Sequence, residues 1–101
     1  MNIQKLMKQA QQMQAKIQQE LATLEVEAAV GGGMVTVRMD GHKHVLAVAI
    51  DPEAMDPADP SMLQDLVVAA VNEASRKVDE AVQEKVGPMM GGMAGGLGGM
   101  F

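Results

Sequence analysis

Residues 25–50 read EVEAAVGGGMVTVRMDGHKHVLAVAI, and the fold turns on how this stretch divides. Val26, Ala28 and Val30 alternate with Glu25 and Glu27, the period of a half-buried strand. Gly31-Gly32-Gly33 supplies the free φ that a chain reversal needs. Alternation resumes over residues 34–39, with Val35, Val37 and Met39 on one face and Thr36 and Arg38 on the other. Asp40-Gly41 then signals a two-residue hairpin turn. The third strand, residues 44–50, is apolar on both faces: Val45, Ala47 and Ala49 on one, Leu46, Val48 and Ile50 on the other. Such a strand needs cover on both sides. One helix layer covers one face, so a second copy of the chain is expected over the other.

Working outward, the preceding residues 1–24, MNIQKLMKQAQQMQAKIQQELATL, form an amphipathic helix ending near Leu24. Ile3, Leu6, Ala10, Met13, Ile17, Leu21 and Leu24 recur at spacings of three and four along one face. Lys5, Lys8, Gln12, Lys16 and Gln19 gather in a sector roughly 80° wide on nearly the opposite side. The first acid is Glu20. A core-seeking face backed by a cationic, hydrogen-bonding face is expected to pack on one side and meet a polyanion on the other.

On the C-terminal side, Asp51-Pro52 ends the third strand and DPEAMDPADP makes an acidic, proline-rich loop. Either Asp59 with Pro60 at the first helical position, or Ser61 with Gln64 three residues on, can cap the helix that follows. That helix runs from about Met62 to Val86, with Gly87-Pro88 as its stop. Leu63, Val67, Ala70, Ala74, Val78 and Ala81 form its seam. Val68, Val71 and Val82 widen the apolar sector past what one partner requires. Together with Leu46, Val48 and Ile50 these are the expected dimer-interface residues. The opposite sector holds Asn72, Arg76, Asp79 and Gln83, with Arg76 expected to pair with Glu80 or Asn72 and Lys77 with Glu73 or Glu84. Residues 1–88 therefore read as one α+β domain. Residues 89–101, MMGGMAGGLGGMF, read as a Gly/Met-rich tail expected to be disordered.

Composition narrows the function. The 101 residues are 48% hydrophobic with a single aromatic, Phe101, so the core must be aliphatic and methionine-rich. A chain of this size and content is expected to complete its core as an oligomer. With no cysteine, disulfides, thiol chemistry and thiolate metal sites are excluded. No apolar run approaches the roughly 20 residues of a membrane span, and no signal-peptide pattern opens the chain, so a cytoplasmic protein is expected. Net charge is −5, yet residues 1–19 carry three Lys and no acid, while Asp51, Glu53, Asp56 and Asp59 fall within residues 51–60. The charge is dipolar, which keeps a polyanionic partner in play.

Catalytic constellations are missing: no nucleophile sits in a recognised motif, and no phosphate-cradling glycine loop with lysine occurs. No enzyme activity and no cofactor are expected. His42 and His44 with Asp40 could hold Zn²⁺ only in a cramped geometry that Lys43 opposes, so no metal site is expected.

The strings LMKQAQQMQ, GGGMVTVRMDG, AIDPEAM and LQDLVVAAVNEASRKVDE, in this order and spacing over residues 3–86, resemble the YbaB/EbfC family of bacterial nucleoid-associated proteins. The resemblance implies a three-stranded antiparallel sheet between a long N-terminal and a long C-terminal helix. It also implies an intertwined, tweezer-like homodimer whose helices project as arms and bind duplex DNA in the nucleoid. On the matching positions it implies DNA contacts at Lys5, Lys8, Gln9 and Gln12, with Lys16 extending the stripe, and at Asn72, Arg76 and Lys77. Phosphates would be the main target, organising the nucleoid or regulating expression. An adaptor for replication or recombination proteins, with no direct DNA contact, is the competing expectation. With no aromatic residue besides Phe101 at the end of the tail, base stacking has little support and single-strand recognition is disfavoured.

Overall fold

The alternation in residues 25–40 folds as read. The structure, a computed structural model, describes residues 2–98, and the side chains of residues 2–88. Its elements run α1 (Ile3–Thr23), β1 (Glu25–Val30), β2 (Val35–Asp40), β3 (Val45–Ile50), a 3-10 turn (Pro52–Ala54) and α2 (Pro60–Gly98). The three strands form one antiparallel sheet in sequence order, so β1 and β3 are its edges.

β1 pairs with β2 without irregularity, Val26 opposite Met39, Ala28 opposite Val37 and Val30 opposite Val35. These six share the face on which α2 lies. Ala28, Val35, Val37 and Met39 meet Ala70, Ala74 and Val78 of α2 in the buried core, with Leu63, Val67, Val71 and Val82 at its margin. Two fully buried alanines on the helix let its backbone approach the sheet closely. Gly31, Gly32 and Gly33 all take positive φ, from 63° to 92°, which explains why the β1–β2 reversal needs glycine.

The second turn corrects the expected two-residue hairpin. Lys43 N–H donates to the Asp40 carbonyl and Asp40 N–H to the His44 carbonyl, enclosing the three residues 41–43. Lys43 takes the left-handed conformation (φ 66°) that closes such a loop. The Asp40 carboxylate accepts the backbone N–H of both His42 and His44 at 2.9 Å, so one side chain replaces the missing ladder bonds.

The third strand also departs from simple alternation. A register shift leaves Leu46 as an extra residue, so that Val45 lies opposite Met39 while Ala47 lies opposite Arg38. Val45 therefore joins Val48 and Ile50 on the α2 face rather than Ala47 and Ala49. α2 packs across β1 and β2 and leaves β3 exposed from Val45 to Ala49.

Asp59 resolves the choice of caps: its carboxylate accepts from Met62 N–H at 3.3 Å, with Pro60 the first helical residue. The stop expected at Gly87-Pro88 does not end the helix, since α2 continues to Gly98 with Pro88 inside it. Proline disfavours helical backbone in its predecessor through a clash with that residue's Cβ, and Gly87 has none. Residues 99–101 of the expected disordered tail lie outside the described residues.

α1 differs most from expectation. None of its residues is buried. The outer half of its apolar face, expected to pack, is open, with Ile3 71% and Leu6 48% exposed, while Met13, Ile17 and Leu21 nearer the body are half-buried. The helix leaves the body as an arm, and the molecule measures 69 × 25 × 16 Å.

Candidate nucleic-acid interface

The arm is a well-started helix. Asn2 takes extended backbone and accepts from Lys5 N–H at 3.3 Å, a capping bond that fixes where the first turn begins. From there the helix presents Lys5, Lys8, Gln9, Gln12 and Lys16 to solvent. Lys5 and Lys16 are eleven residues apart, roughly 16 Å along the axis, the length of about five base-pair steps.

Charge pairing separates the chain's eight cations. Arg38 pairs with Glu25 at 3.7 Å, Lys43 with Asp79 at 3.0 Å and Lys85 with Glu20 at 3.8 Å. Arg76 is held by Glu73 on one side, its Nε donating at 3.1 Å, and by Glu80 on the other. The bond to Glu73 and its charge raise the Arg76 guanidinium above its ordinary value, and the same bond holds the Glu73 carboxyl below its own. Lys77 reaches neither Glu73 nor Glu84; its ammonium donates to the Glu27 carbonyl of β1 at 2.8 Å. Lys5, Lys8 and Lys16 are left, and they make no ion pair among the described residues. Among the described residues, every Lys or Arg without a hydrogen-bonded or ionic partner therefore stands on one face of α1.

Of the α2 positions, Asn72 is exposed, whereas Arg76 and Lys77 are engaged within the protomer. The structure thus groups Lys5, Lys8, Gln9, Gln12 and Lys16 on the arm and sets Asn72, Arg76 and Lys77 apart, on the body helix. The expected interface residues also fall into two sets. Leu46, Val48 and Val68 are 43%, 44% and 59% exposed, while Ile50, Val71 and Val82 pack against the protomer's own core.

One feature that sequence reasoning missed is the junction at the root of the arm. Gly41 N–H donates to the Leu21 carbonyl at 3.0 Å, one of the carbonyls a helix end leaves without a helical donor. A cleft of about 600 Å³ opens beside it, floored by Leu21, Val78 and Val82 and rimmed by His42, Lys43 and Arg76. Only a pairing of residues 20 positions apart marks this contact, so no local sequence pattern could have found it. His44 Nδ1 lies 3.1 Å from the Asp40 carboxylate, and the described residues include no cluster of three or more His, Asp or Glu placed to hold a metal ion.

Fold and charge distribution together define a small α+β protein that carries its free positive charge on a projecting helix. Residues 1–93 match the YbaB/EbfC DNA-binding family, and the chain belongs to it. A nucleoid-associated protein of Chloroflexus aurantiacus is 51% identical over 83 residues, covering 79% of this chain and 83% of the relative. Another, of Acetivibrio thermocellus, is 54% identical over 84 residues, covering 80% and 74%. An uncharacterized Helicobacter pylori protein of known structure shares the fold, with a TM-score of 0.72 over 89% of this chain and 98% of that one, at 20% identity.

Proposed function

We propose that this protein binds duplex DNA as a homodimer, chiefly through phosphate contacts from α1, and acts in the bacterial nucleoid within the cytoplasm. The observation that carries the reading is the set of three lysines on one face of an arm that make no ion pair among the described residues, whereas the other Lys and Arg side chains are each engaged within the protomer. Lys5, Lys8 and Lys16 neutralise phosphates, and Gln9 and Gln12 hydrogen-bond the backbone or groove edges. Asn72, Arg76 and Lys77 contribute from α2 once an arm has docked; Arg76 does so without a net gain of charge, because Glu73 and Glu80 travel with it. Membership of a DNA-binding family and relatives named nucleoid-associated support the same reading.

Dimerisation is supported by the bare β3. Leu46, Val48 and Val68 would close against a second copy, which removes an apolar edge strand from water.

The test is anisotropy of labelled duplex DNA across a salt series, with the Lys5/Lys8/Lys16→Gln variant alongside. If six lysines engage per dimer, log K falls against log salt with a slope near about −5. The variant is expected to lose most of that slope. A wild-type slope shallower than about −2 defeats phosphate binding by the arms. A variant that keeps full activity in cells favours the adaptor of replication or recombination proteins instead.

A further inference from the structure

We propose that Gly41 is the joint that sets the bearing of the α1 arm, and that its missing side chain is a positioning requirement for DNA binding. The inference rests on the reading of α1 as the DNA-contacting element.

Glycine commonly serves a turn by adopting positive φ, but Gly41 is not among the residues with positive φ. Its value here is proximity. A Cβ built on Gly41 would lie 2.8 Å from Leu21 Cα and 3.0 Å from its carbonyl carbon, and closer still to the carbonyl oxygen. Those are backbone atoms of α1, and no side-chain rotation can move them aside. The same two residues share the 3.0 Å hydrogen bond from Gly41 N–H to Leu21 O.

The turn that holds Gly41 is itself braced. Asp40 fixes it internally through His42 and His44, and Lys43 Nζ ties it to Asp79 of α2 at 3.0 Å. On the arm's side the other restraints are partial, with Met13, Ile17, Glu20 and Leu21 only half-buried. α1 has no buried residue; Leu24 just beyond it is buried, and Glu20 meets Lys85 at a loose 3.8 Å. Leverage then magnifies any change at the root. Lys8 stands thirteen residues from Leu21, about 20 Å along the axis, so a tilt of about 10° moves it about 3 Å, enough to break a phosphate contact.

The experiment uses the full chain, which has no cysteine of its own. Gln11→Cys on α1 and Gln83→Cys on α2 take spin labels, and doubly labelled protein is diluted into unlabelled protein so that only distances within a protomer are read. The expected result is one narrow distance that shifts or broadens with Gly41→Ala. Alongside it, the salt slope of DNA binding should shrink by about 2 as misdirected lysines lose phosphates. In the Lys5/Lys8/Lys16→Gln background Gly41→Ala should then cause no further loss. An unchanged distance overturns the proposal, as does equal weakening in both backgrounds, the mark of general damage. A broad distance before any change at Gly41 overturns it too, and that measurement stands even if Gly41→Ala fails to fold. If the lysine variant binds DNA as the parent does while Gly41→Ala still moves the arm, it is the DNA-binding reading that fails, not the joint.

Discussion

Asp40 shows how much one side chain organises. It is nearly buried, and its carboxyl is held below the usual range first by the His44 backbone N–H, with further help from the His44 ring and His42 N–H against the opposing effect of burial. A carboxyl depressed in the fold stabilises it above the unfolded value of about 3.9, and that contribution disappears as pH falls through the folded value. Thermal melting followed by circular dichroism should therefore lose stability below about pH 4. Asp40→Asn should melt lower at neutral pH and respond less to acid: the amide oxygen can still accept both N–H groups, but without the carboxylate's charge, and an NH₂ replaces the oxygen that faces His44 Nδ1. Lys43 illustrates competing small effects. Lys43→Gly relieves about 1 kcal/mol of left-handed strain but adds about 0.5–1 kcal/mol of unfolded-chain freedom and removes an exposed ion pair worth about 0–1 kcal/mol. Chemical denaturation should show no gain in stability.

At the scale of elements, α2 depends on small residues where it crosses the sheet. Ala74 is fully buried between Val37 and its neighbours in the core, so Ala74→Leu should cost about 1–3 kcal/mol in a urea titration through overpacking. The same helix separates what was legible in sequence from what was not. Its seam, its cap at Asp59-Pro60 and the alternation of β1 and β2 follow local periodicity and local hydrogen bonding, so sequence carries them directly. The Leu46 bulge, the three-residue turn and the bond from Lys77 to Glu27 depend on partners brought near by folding, and no spacing announces them. The candidate contacts on α1 were legible because they repeat on one helix face. That Arg76 is neutralised on both sides was half-visible in its i−3 and i+4 neighbours. Arg76→Ala should accordingly change the salt slope for DNA less than Lys8→Gln does. Beyond Pro88, Gly91, Gly92, Gly95 and Gly96 each disfavour helix by about 1 kcal/mol relative to alanine. We propose that this extension frays readily in solution, and a chain ending at residue 88 should melt at the same temperature as the full one.

The whole molecule is more extended than its length requires. Its radius of gyration is 19.2 Å, against about 13 Å for a compact chain of this size. Its accessible surface of 7141 Å² exceeds the about 5,500 Å² typical of a folded monomer of its mass. Part of the difference belongs to the far end of α2, and the bare β3 and open arm supply more. Val48→Asp should convert the proposed dimer to a monomer in light scattering read against refractive index. Absorbance at 280 nm cannot serve, since the chain has no Trp or Tyr.

If β3 is covered by a second copy, as proposed, its exposure in the protomer makes the amount of working protein sensitive to gene dosage. A protomer that needs its twin to shield that strand is scarce in paired form when synthesis is low. Well below the pairing constant the dimer population follows the square of the chain population, so halving expression removes about three-quarters of it. On the proposed DNA-binding role, occupancy would then rise steeply with expression where a monomeric binder would give a gradual response.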